Sequence, residues 1–176
     1  MNHASSSSGG ASPLALSQWL ASPLGRYVLA REQAFYDKAV ADCFGYRAVQ
    51  LGWTGVPLMR CNRIPWQCLV GQTGLAGVQA LPYQLPFATR SLDLLLMPHT
   101  LDFSAHPRET LREAERVLAP EGRLVLTGFN PVSLFGLRRV WSRQQAPWNA
   151  HFLSLRRLKD WLELLDFDLA SGAFLC

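Results

Sequence analysis

The alternation of apolar and polar positions in the second half of the chain predicts a strand followed by a helix. Asp93–Met97 is a short apolar run that ends at Pro98, which is typical of a strand covered on both faces. His106 and Pro107 predict the start of a helix, because proline fits the first helical turn without losing a hydrogen bond. The apolar positions of this helix share one face, and they are Leu111, Ala114, Val117 and Leu118.

A second buried strand is predicted after this helix. Pro120 and Gly122 predict the end of the helix, and Arg123–Thr127 is again a mostly apolar run. Two buried strands joined by an amphipathic helix form a right-handed parallel crossover. The pattern therefore predicts an α/β fold with a layered sheet.

The first half of the chain predicts a long helix and three short strands. Ser22 and Pro23 begin a helix that runs to about Cys43 and ends before Gly45. The strand candidates are Arg47–Leu51, Gln67–Gly71 and Ala76–Ala80. The links between them are short for crossover helices, since a parallel link needs about a dozen residues. Either the second or the third strand is therefore vestigial, or these two pair as a hairpin.

The end of the chain predicts one more helix and one more strand. Ser154 caps a helix that continues to Leu165, and Phe167–Leu175 is the last strand candidate. The positions expected to face inward on the helix are Leu155, Leu158, Trp161, Leu162 and Leu165.

Composition narrows the class of protein. The 176 residues suit one domain, with hydrophobic residues at 49% and charged residues at 17%. Residues 1–12 are rich in Ser and Gly and predict a disordered tail, which leaves residues 13–176 as the domain. The chain has neither a membrane-length apolar run nor a secretory signal pattern, so we expect it in the cytoplasm. We expect its four cysteines, Cys43, Cys61, Cys68 and Cys176, to be buried reduced thiols.

The charge is mildly basic, with a net charge of +4 and a pI near 9.1. One group of basic residues follows the second strand, and another lies on the last helix. They are Arg138, Arg139 and Arg143, then Arg156, Arg157 and Lys159. Such groups bind phosphate in some proteins and are solvated helix faces in more of them. Composition therefore disfavours a nucleic-acid partner, which stays open as an alternative.

The wording of one long segment resembles a known family. The segment contains LPF at 85–87, SLD at 91–93, PHTLDF at 98–103 and LREAERVLAPEGRLVL at 111–126. Their order and spacing resemble class I S-adenosylmethionine (SAM) dependent methyltransferases, most closely the type 11 subgroup. The run GFNPVSLFGLRR, Gly128–Arg139, is similar to an uncharacterised bacterial group within that family.

The resemblance implies a Rossmann-like, mostly parallel sheet with flanking helices. The short links make this fold abbreviated in its first half. The usual last strand of the family has no residues left to form it, so we expect either a shortened chain or an open sheet flank. Unpaired backbone at an open edge favours self-association.

The resemblance also implies a SAM site at the carboxyl ends of the strands, beginning with a glycine-rich turn after the first strand. Gly52, Trp53 and Gly55 lie in that turn, where Gly52 matches the family and Gly55 is out of register. Gln50 stands where the family has an acid. Two further glycines of the family pattern are replaced, by Thr54 and Val56.

Two more acids of the family pattern are missing from this chain. Gln72 or Thr73 stands at the end of the second strand, where the family has an acid that accepts hydrogen bonds from the ribose hydroxyls. Ala80, Leu81 and Pro82 follow the third strand, and Leu81 takes the place of the acid that faces the adenine amino group. A neutral acceptor is weaker than a carboxylate, so we expect weak SAM binding, if the cofactor binds at all.

The loop after the fourth strand retains more of the family wording. Pro98 and His99 begin it, and by analogy His99 lies beside the cofactor sulfur as a base or as a wall. A surface or helix-capping histidine is the alternative. A metal site of His99, Asp102 and His106 is disfavoured for want of a third strong ligand, so we expect no metal. Asn130, after the fifth strand, either orients the substrate or forms a turn with Pro131.

These features predict a SAM-dependent methyltransferase that acts on an unknown small-molecule or macromolecular acceptor. Methyl transfer from a sulfonium needs mainly positioning, so few ionisable residues are compatible with activity. The alternative is a non-catalytic methyltransferase-fold protein that acts as a binding or scaffold module. A nicotinamide-dependent oxidoreductase is disfavoured, because the chain lacks the glycine motif and ribose acid of that class.

Overall fold

The computed structural model describes residues 18, 20–72, 76–129 and 153–172. Within these ranges it contains one five-stranded sheet with helices on both faces. The strands are β1 (Arg47–Leu51), β2 (Trp66–Gly71), β3 (Val78–Gln79), β4 (Leu92–Pro98) and β5 (Leu118–Thr127). The helices are α1 (Pro23–Ala41), α2 (Thr100–Phe103), α3 (Pro107–Val117) and α4 (Leu155–Glu163). None of the helices in the described ranges is both long and apolar enough to cross a bilayer.

The predicted helix starts of α1 and α4 are confirmed by their capping bonds. The Ser22 hydroxyl accepts a hydrogen bond from the Gly25 N–H at 3.1 Å, and the Ser154 hydroxyl accepts one from the Arg157 N–H at 3.3 Å. Each bond satisfies one of the N–H groups that have no partner within a helix. Pro107 opens α3, as the sequence predicted.

All neighbouring strands in the sheet are parallel, in the order β3-β2-β1-β4-β5. The predicted parallel crossover from the Asp93 strand to the Arg123 strand is confirmed, because Leu94 lies opposite Arg123. This topology confirms the Rossmann-like sheet. Within the described residues β5 pairs only with β4, and self-association through this edge stays a prediction.

The strand after α3 begins earlier than predicted. β5 starts at Leu118, which pairs with Leu92, and the register shifts before Leu94 pairs with Arg123. Gly122 lies in this irregular part, where an added Cβ would be 2.9 Å from the Ala119 and Leu92 carbonyl oxygens. The predicted turn at Pro120 and Gly122 is therefore an irregularity within a paired strand.

The third strand is the vestigial one, and the hairpin alternative is wrong. β3 is shorter than the predicted Ala76–Ala80 and pairs in parallel with the last two residues of β2. Because the pairing covers only two residues, the chain has to return by only about 7 Å. Residues 72–77 are enough for that return, so the usual length of a parallel link does not apply.

The carboxyl-terminal part departs from the prediction in two places. No strand forms over residues 167–172, and residues 173–176 lie outside the described ranges. Leu155, expected to face inward, is 48% exposed, whereas Leu162 is buried against the sheet. Leu155 is the first residue after the capping serine, and the helix reaches the core only one turn later. Trp161 lies between the guanidinium groups of Arg108 and Arg157, at 5.4 and 5.2 Å.

The core has two apolar layers, one on each face of the sheet. One layer joins alternate residues of β1 and β4 to α3 and α4, and it includes Val49, Leu51, Leu95, Met97, Leu111, Ala114 and Leu162. The other joins the opposite faces of the same strands to α1, and it includes Tyr36, Val40, Ala48, Leu58, Leu94 and Leu96. The central strands are therefore buried on both faces, as their continuous apolar runs predicted.

Two of the segments that carry the family resemblance, residues 85–87 and 111–126, are hydrogen-bonded to each other. The Leu85 N–H donates to Glu113 Oε1 at 2.7 Å, and Arg116 donates to the carbonyl oxygens of Leu85 and Phe87 at 3.2 and 3.0 Å. Arg116 also forms a two-bond ion pair with Glu113, at 2.7 and 2.8 Å. These contacts fix the segment before β4 against α3.

Gly45 and Asp93 hold the amino-terminal end of β1 beside β4. Asp93 Oδ2 accepts hydrogen bonds from the N–H groups of Tyr46 and Arg47, at 2.7 and 2.9 Å. Gly45 has φ +148°, and a Cβ added there would overlap the Asp93 side chain. Only glycine therefore lets the chain approach this carboxylate.

We expect Gly45→Ala to lower the free energy of unfolding by about 2 kcal/mol or more, because it combines backbone strain with overlap at Asp93. Gly172→Ala is the matched control, since nothing lies within 4 Å of an added Cβ there. Urea unfolding of both variants measures the difference. Equal stability of the two variants would contradict this account of the Gly45 contact.

Candidate functional site

The carboxyl ends of the parallel strands meet at one edge of the sheet. Several residues that the sequence analysis assigned to the site follow these ends directly, and they are Gly52 after β1, Gln72 after β2, Ala80 after β3 and His99 after β4. An edge of this kind is where open parallel sheets bind their ligands. We therefore take it as the candidate site.

Gly52 and Thr100 bring the β1 turn against the β4 loop. Gly52 has φ +96°, and a Cβ added there would lie 2.5 Å from the Thr100 hydroxyl oxygen. That hydroxyl donates to the Leu51 carbonyl oxygen at 2.7 Å. The turn therefore needs glycine because Thr100 packs on it, and this packing places Gly52 close to the loop that carries His99.

Gln50 holds the β1 turn together from inside. Its side-chain amide donates to the carbonyl oxygens of Trp53 and Val56, at 2.8 and 2.9 Å. Its side-chain oxygen accepts from the Leu58 N–H at 2.8 Å. An ionised carboxylate has no hydrogen to donate to two carbonyl groups. The glutamine in the place of the family acid is therefore the residue type that this turn requires.

Trp53 and Gly55 pack on each other in the same turn. A Cβ at Gly55 would lie 2.7–2.9 Å from atoms of the Trp53 indole. Trp53 is buried, and it forms a small apolar layer with Leu20 over the edge of the sheet. The partly buried members of this layer are Leu29, Val56, Phe103 and Phe129. We call these six residues the edge layer. The geometry gives Gly55 a packing role, and cofactor binding by Trp53 or Gly55 stays a prediction.

The ends of β2 and β3 lie side by side and present neutral groups. The Ala80 N–H donates to the Gly71 carbonyl oxygen at 3.2 Å, and a Cβ at Gly71 would be 3.0 Å from the Gly52 carbonyl oxygen. Leu81 is 39% exposed, whereas Pro82 is buried. Residues 71–84 contain no Asp or Glu. A nucleoside at this edge would meet backbone groups, glutamine amides and one exposed leucine.

His99 is enclosed between two carboxyl groups. Its Nε2 lies 2.7 Å from Glu32 Oε1 on α1, and its Nδ1 lies 3.2 Å from Asp102 Oδ2 on α2. The residue is 1% exposed and has φ +51°. The surface alternative for His99 is therefore wrong. His99 precedes α2 as its capping residue, but its side chain makes no capping bond.

Phe129 completes the enclosure from the end of β5. Its ring stacks on the imidazole with 4.2 Å between centroids and 27° between planes. Its N–H donates to Asp102 Oδ2 at 3.0 Å. On the same side of the sheet the Tyr36 hydroxyl lies 3.2 Å from the Thr127 hydroxyl. We call Glu32, His99 and Asp102 the carboxylate–imidazole cluster.

The cluster keeps a proton on His99. Burial alone would lower the pKa of His99, but the charge of Glu32 and the hydrogen bonds to Asp102 and Glu32 outweigh it and raise the pKa to about 10. Burial raises the pKa of the Asp102 carboxyl, partly offset by its hydrogen bond with His99. At neutral pH His99 is therefore an imidazolium, and its two N–H groups donate to Glu32 and Asp102. A ring that already carries both protons cannot accept another, which favours His99 as a fixed wall of the site rather than as a general base.

Other predicted residues lie elsewhere or outside the described ranges. The His106 ring packs on the Tyr83 ring at 4.8 Å, away from the cluster. Asn130 and the arginines of 138–143 are not among the described residues. Cys43 is buried, but Cys61 is exposed and Cys68 is half-buried, so the expectation of buried thiols is wrong at these two positions; Cys176 lies outside the described residues.

Glu32 is not among the predicted site residues, although the sequence contains a signal for its burial. Val28, Glu32, Tyr36 and Val40 recur every four residues and form the buried face of α1. An acid in the middle of an apolar helix face predicts a buried carboxyl group that needs a partner. The spacing does not name that partner.

The raised pKa of His99 predicts a pH dependence of stability. Protonation of His99 stabilises the folded state fully below pH 6.5, and this contribution is lost as the pH rises toward 10. Between these limits the loss is about 1.4 kcal/mol per pH unit. We expect His99→Asn to lose this slope between pH 7 and 8.5, while asparagine still tolerates the positive φ.

Urea unfolding at several pH values measures the slope of each protein. His106→Asn is the control and should keep the wild-type slope, because His106 lies outside the cluster. A wild type and a His99→Asn variant with the same slope would contradict the charged state assigned to His99.

Comparisons with known proteins agree with the fold and with the sequence resemblance. Residues 66–126 match the family described as a methyltransferase domain, which is about a third of the chain. Over 94 residues the chain is 47% identical to the uncharacterized protein YafS of Escherichia coli (strain K12), covering 52% of this chain and 39% of YafS. The chain spans less than half the length of the curated relatives it matches.

Solved structures of methyltransferases share the fold. A SAM-dependent methyltransferase of Thermotoga maritima, described as a possible histamine N-methyltransferase, has a TM-score of 0.61 and 23% identity, over 88% of this chain and 81% of that chain. A SAM-dependent methyltransferase of Aquifex aeolicus has a TM-score of 0.58 and 15% identity, over 88% of both chains. The resemblance to the type 11 methyltransferases is confirmed over residues 66–126, which match the methyltransferase-domain family, and the chain has the fold of SAM-dependent methyltransferases. The run at 128–139, which the sequence related to a bacterial group, lies mostly outside the described residues.

Proposed function

We propose that this protein binds SAM at the carboxyl edge of its sheet and transfers the methyl group to an acceptor. The observation that carries the proposal is the contact between the β1 turn and the β4 loop, made by Gly52 and Thr100. It brings together the two segments at which the family resemblance implies the cofactor and the reacting group. The methyltransferase-domain match over residues 66–126 supports the same assignment.

The residues at this edge fit a SAM molecule, but with few strong polar contacts. Gly52 and Gly71 keep side chains away from the backbone at the ends of β1 and β2. Leu81, exposed next to the end of β3, offers an apolar surface to a base. Because residues 71–84 contain no carboxylate, the ribose and the adenine amino group lose charge-assisted acceptors. We therefore expect weak binding.

The chain's own contribution to the reaction is positioning. SAM supplies a methyl group already activated by its sulfonium, so little acid–base chemistry is required of the protein. Gln50 and Thr100 fix the β1 turn against the β4 loop. The carboxylate–imidazole cluster fixes α1 over the same edge and keeps its proton on His99.

A non-catalytic binding or scaffold role is the second candidate. Two observations favour it, the engagement of both His99 nitrogens with carboxyl groups and the neutral ends of β2 and β3. A protein of this kind would keep the fold and have no measurable affinity for SAM. Fold alone does not separate the two candidates.

Calorimetric titration of the full chain with SAM and with S-adenosylhomocysteine distinguishes them. We expect dissociation constants in the range of about 10 μM to 1 mM, which reflects the missing charged acceptors. No heat and no thermal shift with millimolar ligand would overturn the methyltransferase proposal and support the binding module.

Leu81→Asp supplies the acid that this edge lacks. We expect the variant to bind S-adenosylhomocysteine about tenfold more tightly, since one added charged hydrogen bond is worth about 1.5 kcal/mol at a partly exposed site. Leu169→Asp, at a leucine that is 58% exposed outside this edge, is the control and should not change the affinity. Equal effects of the two variants would show that the nucleoside does not lie at Leu81.

A further inference from the structure

One oxygen of the carboxylate–imidazole cluster has no partner among the residues that the structure describes. Glu32 is 4% exposed and its Oε1 faces His99, but its Oε2 is buried and receives no hydrogen bond from any described residue. A buried carboxylate oxygen without a donor is costly, so this group calls for an explanation. The oxygen therefore marks a place where a donor is missing.

The cluster also has more acidic groups than basic groups. Glu32 and Asp102 are two carboxyl groups that share the single imidazolium of His99. When all three groups are ionised, the cluster carries one more negative charge than positive charge. Tyr36, about one helical turn after Glu32 on α1, has its hydroxyl bonded to the Thr127 hydroxyl. A cation that brings its own N–H donor would balance both the charge and the hydrogen bond.

The surroundings of the cluster are apolar and partly aromatic. Phe129, which stacks on His99, belongs to the edge layer together with Trp53 and Phe103. Leu29, another member, lies three residues before Glu32 on α1, which is nearly one helical turn. Aromatic rings beside a carboxylate suit a cation attached to an apolar body.

We propose that Glu32 Oε2 is the anchor for the amino group of an amine ligand with an apolar body, which is the acceptor substrate of the site. That this ligand is the methyl acceptor rests on the proposed function. That it carries an amino group is inferred from the unpartnered oxygen of Glu32. An alcohol would supply a donor without the charge. A carboxylate or phosphate in the same place would be repelled by Glu32 and Asp102.

Entry of the amine requires movement, because Oε2 is enclosed. The second half of α1 is fixed by the Tyr36–Thr127 bond, by Asp37 with Arg60, and by Asn62, which donates to the Val40 carbonyl oxygen. Glu32 lies just before this fixed part. The ligand therefore enters from the side of the edge layer, where Leu20, Leu29 and Phe129 have to shift.

The test uses matched pairs of probes on the full chain. Benzylamine and 2-phenylethylamine are each compared with the corresponding alcohol, and 3-phenylpropionate is the anionic probe. Binding is measured by NMR titration, with and without saturating S-adenosylhomocysteine. We expect each amine to bind at least tenfold more tightly than its alcohol, and to shift the ring nitrogen signals of His99.

Glu32→Gln is the decisive variant, because its amide keeps an oxygen for His99 and replaces the free oxygen with a donor. We expect it to bind the amines no better than the alcohols. Glu115→Gln, at an exposed glutamate of α3, is the matched control and should bind as the wild type does. Wild-type protein that shows no preference for amines overturns the inference, whether or not the Glu32 variant folds.

The outcomes separate this inference from the proposed function. Binding of S-adenosylhomocysteine without any preference for amines overturns the amine anchor alone. A Glu32-dependent preference for amines without binding of S-adenosylhomocysteine supports the anchor and overturns the methyltransferase. Loss of both overturns both.

Discussion

The pairing of His99 with Glu32 and Asp102 is the interaction on which the arrangement of the site depends. It joins α1, from the first part of the chain, to the loop between β4 and α2. Phe129 adds the end of β5 through its ring and its N–H. Three segments that are distant in sequence therefore meet around one buried imidazolium, and its charge is what lets two carboxyl groups remain in an apolar edge.

The second constraint is the close contact between the β1 turn and the β4 loop. Gln50 bonds the turn to itself, and Thr100 packs on Gly52. Gln50 is a neutral residue where the resembled family has an acid, whereas Gly52 matches that family. The edge of this methyltransferase-like fold therefore offers few charged acceptors, and the proposed function relies on positioning rather than on tight cofactor binding.

Much of the fold could be predicted from the sequence because its signals are local. The apolar run of β4, the proline that opens α3 and the serine that caps α1 each act within a few residues. The bounds of β3, the start of β5 and a strand over residues 167–172 were predicted wrongly, because pairing with another segment decides them. The Leu85 and Arg116 contact explains why the family wording at 85–87 and at 111–126 belongs together. The site was predicted less well, because Glu32 and His99 are 67 positions apart and their spacing contains no signal of the pair.

The protonation of the His99 ring is the property that tests this account most directly. Nitrogen-15 NMR of the full chain with labelled histidine, assigned by comparison with His99→Asn, reports the two ring nitrogens separately. At pH 8.5 we predict that both His99 nitrogens still carry protons, whereas an ordinary histidine is neutral at this pH. A neutral His99 ring at pH 8.5, with one nitrogen that carries no proton, would contradict the charged state of the cluster and its role in holding the site together.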